Sequence, residues 1–137
     1  MFPVTTIGAG QCVAFPDVCK TPTPAGPVPI PYPNIAMLPQ GKGGTFSSKV
    51  KISNKKVATV KSEIMMSTGD EPGTVGGVIS NRFKGPAKFK KGASKVKVEG
   101  ASVVHLTSMI GQNGVSSANH PAGVQVAPSQ IKVTVIP

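Results

Sequence analysis

Apolar and polar residues alternate with a period of two in three short stretches of this chain. Val50 and Ile52 alternate with Lys49 and Lys51. Val96 and Val98 alternate with Lys95 and Lys97. Ile131, Val133 and Val135 alternate with Lys132 and Thr134. A period of two puts one kind of residue on each face of a strand, so each stretch predicts a half-buried β-strand. After the first, Ser53-Asn54-Lys55-Lys56 predicts a turn and Val57-Ala58-Thr59-Val60 a return. After the second, Glu99-Gly100-Ala101-Ser102 turns and Val103-Val104-His105-Leu106 returns. The third stretch supplies a single strand.

The same stretches carry a repeated phrase. It reads Ser48-Lys49-Val50-Lys51-Ile52, then Ser94-Lys95-Val96-Lys97-Val98, then Ser129-Gln130-Ile131-Lys132-Val133. The first two copies align without gaps from Ser48 to Ser62 and from Ser94 to Ser108. Repetition at this scale predicts three similar β units around a pseudo-threefold axis, a shape suited to the end of a threefold partner.

A different pattern occupies residues 16–33, which hold seven prolines. In Pro27-Val28-Pro29-Ile30-Pro31-Tyr32-Pro33 every second N–H is missing. That excludes a helix or a central strand and predicts an extended segment lying on the body of the protein. Ile35-Ala36-Met37-Leu38 reads as one short helical turn. Glycine-rich loops are expected around Pro39–Gly44 and Gly69–Val78.

Composition sharpens this picture. With Gly 16 and Pro 14 in 137 residues, long helices are disfavoured, and the Val and Ile content favours strands. The expectation is one mainly β domain over residues 1–137. The net charge is +10, carried almost wholly by Lys, with Arg82 the one Arg. A basic run from Arg82 to Lys97 holds Phe83 and Phe89. Nucleic-acid readers rely on Arg forks and aromatic platforms, which are scarce here, so a solvated Lys surface is preferred and nucleic acid is not an expected partner. A basic nucleic-acid-binding module remains the rival reading. No apolar run has membrane-spanning length, and the N-terminal residues lack a secretory pattern, so assembly in the cytosol is expected.

Catalytic chemistry finds little support. The glycine loops do not fit a phosphate-binding pattern, no Gly-x-Ser-x-Gly phrase is present, and only five carboxylates exist. The chain is read as non-enzymatic. Cys12, Cys19, His105 and His120 are the whole Cys and His inventory. Two sulfurs and two imidazoles could hold one zinc ion, although Cys-x6-Cys and His-x14-His are not zinc-finger spacings. Burial as a small apolar residue is the plain alternative for Cys19.

The run from Phe15 to Asn34, with Pro16, Asp17, Cys19, Pro29, Pro31, Tyr32, Pro33 and Asn34, resembles the signature of the PAAR-like domain family. Ser67-Thr68-Gly69-Asp70-Glu71-Pro72-Gly73, Leu106-Thr107-Ser108-Met109 with Gln112-Asn113-Gly114, and Ala127–Val133 resemble it too. The resemblance implies a small cone of β structure that caps the trimeric valine–glycine-repeat (VgrG-type) spike of a contractile injection system, chiefly type VI secretion. It implies a tip that crosses the target membrane only on firing, and recruitment of an effector or chaperone. Three His and one Cys hold zinc near the tip of such proteins. Two His cannot supply that set, and Cys19 is the one candidate inside the signature. On this reading Val50, Ile52, Val96, Val98, Ile131 and Val133 lie on the docking strands. At 137 residues a fused toxin is not expected, so a payload would bind non-covalently. An effector adaptor whose proline segment binds cargo is a further alternative.

Overall fold

The computed structural model describes residues 2–114 and 118–136. Its strands are β1 (Phe2–Pro3), β2 (Gln11–Thr21), β3 (Val28–Met37), β4 (Lys51–Ile52), β5 (Lys55–Lys56), β6 (Glu63–Ile64), β7 (Gly76–Gly77), β8 (Ala87–Phe89), β9 (Lys97–Val98), β10 (Ala101–Ser102), β11 (Met109–Gln112), β12 (His120–Ala127) and β13 (Thr134–Val135). The fold is mainly β, with antiparallel pairing and no α-helix among the described residues.

The largest sheet runs β3-β2-β12-β11-β8-β6, with β7 joined to the far part of β2. Its proline strand sits at the edge for a simple reason. Successive N–H groups along a strand point to opposite sides, so Pro29, Pro31 and Pro33 all withhold a donor from the same side. The other side pairs with β2 from Thr21↔Val28 to Gln11↔Met37. The extended segment expected from the prolines is therefore an edge strand. It also continues through Ile35, Ala36 and Met37, where a helical turn was expected; the turn is a short 3-10 element at Leu38–Gln40. Bonds from Lys42 N–H to Glu63 O (2.8 Å) and Met65 N–H to Gln40 O (3.1 Å) join the β3 end of the sheet to the β6 end. Cys12, Leu38, Ile64, Phe89 and Ile110 fill the core inside. Phe89 is thus a core side chain rather than a stacking platform, and the lysines around it are the outward positions of the same strand.

Three two-stranded units, β4-β5, β9-β10 and β13-β1, form the other part. Their equivalence is written in the backbone bonds. Val57 N–H donates to Val50 O (3.3 Å), Val103 N–H to Val96 O (3.1 Å), and Val4 N–H to Val133 O (3.0 Å). The units then close a ring: Thr5 N–H donates to Val104 O (2.9 Å), Val104 N–H to Ala58 O (3.2 Å), and Ala58 N–H to Thr5 O (2.9 Å). A cyclic set of three such bonds defines a pseudo-threefold axis.

Two details differ from the alternation pattern. The turns are tighter than four residues: Ser53-Asn54 and Glu99-Gly100 alone reverse the chain, with φ of 50°, 64°, 52° and 82°. Two positive φ values in a row are the mark of a type I′ hairpin, whose twist matches the strands. Asn54→Ala is expected to lower stability by about 1 kcal/mol, because Ala tolerates the left-handed region poorly, and Asn54→Gly to lose nothing. Urea denaturation of both variants checks this; equal stability of all three chains would contradict the turn. The third unit also shifts. Val133, not Ile131, is the counterpart of Val50 and Val96, and Ile131 lies outside the strand, 78% exposed. A slip of two residues preserves alternation, so the pattern alone could not distinguish the registers. The unit is completed by the N-terminal Phe2–Pro3 rather than by a following strand.

Candidate functional site

The three units present an apolar cavity on the pseudo-threefold axis. Val50, Val96 and Val133 form one ring of equivalent positions, Ile52, Val98 and Val135 a second, and Val4, Val57 and Val103 a third. All nine line a space of about 280 Å³. The inner ring is buried, whereas Val50, Val96 and Val133 are 39%, 43% and 43% exposed. Alternation explains this: the strands that carry these residues turn Lys49, Lys51, Lys95, Lys97 and Lys132 outward. The result is a threefold apolar socket ringed by lysines.

A second site lies along β2, away from this end. Cys19 is eight residues beyond Gln11, roughly 25 Å at the rise of a strand. Asp17 and Cys19 are two residues apart on β2, so both side chains point to the same face, and both are fully buried. The loop after Gly69 brings Asp70 to them. Cys19 Sγ lies 3.7 Å from Asp17 Oδ1 and 3.7 Å from Asp70 Oδ2. Asn113 Nδ2 donates to Arg82 O (2.7 Å), Asp17 Oδ1 (3.3 Å) and the sulfur (3.6 Å), and Asn119 Nδ2 donates to Asp17 Oδ1 and Val18 O. Neither amide is free to turn over. Gly85 N–H holds Asn113 Oδ1 (2.9 Å), and Ile79 and Ser80 N–H hold Asn119 Oδ1. The glycine-rich loop has its explanation here. A Cβ on Gly73 would meet Cys19 Cβ at 2.3 Å, and one on Gly77 would meet Asn119 Oδ1 at 2.2 Å. These glycines let the backbone close over the cluster.

The cluster is electrostatically tense. Burial pushes the Cys19 thiol up to about 12, with the Asp17 and Asp70 charges adding to it. Burial, and then the Asp17 carboxyl bonded to it, push Asp70 up to about 7, against the pull of the Lys84 N–H at 2.9 Å. Among the described residues, Asp17 Oδ2 has no hydrogen-bond partner. Two carboxyls and a thiol facing one another need a proton or a cation between them. Their spacing suits the latter: ligands at 2.0–2.3 Å around a tetrahedral ion stand roughly 3.5 Å apart. Among the described residues, Asp17, Cys19 and Asp70 are the group whose ligand atoms could converge on a metal.

None of the other three Cys and His residues joins Cys19 in that group. Cys12 is packed in the core beside Ala36, its thiol pushed up to about 12 by burial. His105 belongs to the second repeat unit, bonded through Nδ1 to Leu106 O (2.6 Å) and stacked on Phe2 at 5.4 Å. His120 opens β12 opposite Gln112. Of the signature residues, Asp17 and Cys19 form the cluster, Asn34 binds Ser67 Oγ (2.9 Å) beneath it, and Tyr32 bonds Thr21 Oγ1 (2.6 Å). Asp70, Asn113 and Asn119 were not legible as site residues. The same-face spacing of Asp17 and Cys19 was a usable signal, and Asp70 and Asn113 lie in stretches that resemble the family but pointed to no role there; nothing local marks Asn119.

Comparison with known proteins places the chain. It is 36% identical over 129 residues to the DNase toxin Tse7 of Pseudomonas aeruginosa, a match covering 89% of this chain and 32% of that protein. The chain thus spans about a third of the relative's length. No solved structure matches it. Residues 10–120 match the toxin PAAR-like domain. The cluster on β2 and the proline edge strand fall within that match, and the chain belongs to the toxin PAAR-like domain family.

Proposed function

We propose that this chain is the non-enzymatic cap of a trimeric VgrG-type spike in a contractile injection system, assembled in the cytosol and ejected on firing. The observation that carries the reading is the socket: three pseudo-equivalent units, closed by a cyclic set of backbone bonds, around an apolar cavity. A monomer gains little from near-threefold symmetry at one end unless its partner is threefold. Exposed Val50, Val96 and Val133 would bury against the trimer's blunt end, at about 25 cal/mol per Å² of apolar surface covered.

Cys19, Asp17 and Asp70 would hold one divalent ion, zinc by preference because thiolate is a soft ligand. Bound there it would supply structural chemistry, taking the place of protons among Asp17, Cys19 and Asp70, and those residues would then tie the 69–85 loops to β2. Asn113 and Asn119 donate to the ligand atoms as outer partners do.

The kinship to a DNase toxin favours a role in carrying cargo. In that toxin the matching region is a third of a longer chain. Here the region would serve as the delivery part, whether its cargo is joined to it or bound to it.

Native mass spectrometry of the chain mixed with the C-terminal β portion of its genome's spike trimer tests the cap. One chain per trimer is expected, with an added mass of one zinc. Absence of any complex would overturn the cap. Salt-dependent binding to random duplex DNA in its place would move the reading to a nucleic-acid module.

A further inference from the structure

The pseudo-threefold units are alike in their strands but differ at one small feature just before them. In the first unit the Glu99 carboxylate accepts from Ser48 N–H (2.9 Å), Ser48 Oγ (3.2 Å) and Lys49 N–H (3.2 Å). Two consecutive backbone N–H groups and a hydroxyl thus form an anion-holding turn, and the turn of the second unit fills it. These bonds hold the Glu99 carboxyl below its usual range.

The third unit fills an overlapping pair of N–H groups, one residue further along, with its own side chain. Gln130 Oε1 accepts from Lys132 N–H (2.7 Å) and Val133 N–H (2.9 Å), the counterparts of Lys49 and Val50. The second unit has the same four residues as the first, Ser94-Lys95-Val96-Lys97, in the same bend. There, among the described residues, nothing reaches the Ser94 and Lys95 N–H groups or the Ser94 hydroxyl.

Beside it opens a cleft of about 450 Å³, lined by Lys91, Ser94, His105, Thr107, Met109 and Val124. Met109 and Val124 are opposite one another on β11 and β12 and give it an apolar floor; Lys91 stands on its rim. Ser94 lines the cleft and lies two residues before Val96, which lines the socket.

We infer that the Ser94–Lys95 turn receives one carboxylate side chain, an Asp or Glu of the trimeric partner. This rests on the cap reading and deepens it. The chemistry is the one the chain already uses at Ser48–Lys49. The lysines around the socket favour an acidic partner, and the apolar floor accommodates the methylenes of an acidic side chain. On a threefold partner any one of three equivalent carboxylates can enter, so a single turn is filled whichever of the three settings the cap takes.

The test measures the affinity of the full chain for the spike trimer's C-terminal β portion by calorimetry. Ser94→Asp places a carboxylate where the partner's would sit and should weaken binding at least tenfold, with thermal unfolding unchanged. Ser94→Ala removes only the hydroxyl and should weaken it a few-fold; it also serves if Ser94→Asp folds poorly. Ala25→Asp adds the same charge on the exposed turn between β2 and β3 and should bind as the parent does. A parent chain that binds, with both Ser94 variants within twofold of it, overturns this inference alone. A parent chain that does not bind overturns the cap and this inference together.

Discussion

Val96→Asp is expected to abolish the proposed binding to a spike trimer, a loss of at least a hundredfold, and to leave the chain folded. Val96 is 43% exposed in the isolated chain, so the substitution strands no charge in the folded monomer. The same position sits at the mouth of an apolar cavity ringed by eight other aliphatic side chains, which the proposed partner would cover. An unpaired carboxylate buried there would lose its hydration without gaining a partner, a penalty of several kcal/mol. Val50→Asp and Val133→Asp should behave alike, since the three positions are equivalent by their backbone bonds. Val28→Asp, on the proline edge strand and 40% exposed, is the matched control and should bind normally. Calorimetric titration against the trimer, with thermal unfolding of each variant, decides it. A folded Val96→Asp chain that binds fully would remove the socket from the interface.

The second large effect concerns the cluster on β2. Asp70 moves from 3.8 to about 7 on folding. The metal-free folded chain therefore holds a proton that the unfolded chain releases between those values. Its contribution is fully present below pH 3.8 and is lost as pH rises through 7. Cys19, raised from 9.0 to about 12, acts with the same sign at higher pH. Glu71 and Glu99 are shifted down, so their contribution is lost only on acidification below their unfolded value of 4.5. Between pH 5 and pH 8 the Asp70 contribution is isolated from theirs. The metal-free chain should lose several degrees of Tm across that window.

One equivalent of zinc at pH 8 should restore more than was lost, because the ion replaces the proton and the thiol is deprotonated on binding. At pH 5 the gain should shrink as protons compete. Cys19→Ser with Asp17→Asn should abolish the zinc response. Scanning calorimetry with and without a chelator reads all of this. A Tm that rises from pH 5 to pH 8 in the metal-free chain would contradict the buried-acid arrangement, and a zinc response of zero at pH 8 would contradict the metal.

The two sites were legible to different degrees for physical reasons. The socket strands announce themselves because side chains alternate every residue along a strand, and Val-Lys-Ile or Val-Lys-Val reports that directly. The register of the third unit did not, because moving from Ile131 to Val133 leaves every apolar residue on the same face. At the cluster, Asp17 and Cys19 are neighbours on one face of β2. Asp70 is 51 residues beyond Cys19, and Asn113 and Asn119 are still more distant. Their convergence depends on glycines whose role is the absence of a side chain, which no spacing rule records.

By itself the sequence determined the strand-rich class, the repeated units, the extended and non-central character of a segment with every second N–H missing, and a lysine-clad surface. These follow from local rules: side-chain alternation, proline's missing donor, and the turn preferences of Asn and Gly. The tertiary structure alone decided that β1 completes the third unit, that three backbone bonds close the units around one axis, and that Cys19 faces two carboxyls rather than two imidazoles. Each of these joins groups far apart in the chain. Such contacts are selected by the packing of the whole core and by the need to satisfy buried polar groups, and neither leaves a periodic trace along the chain.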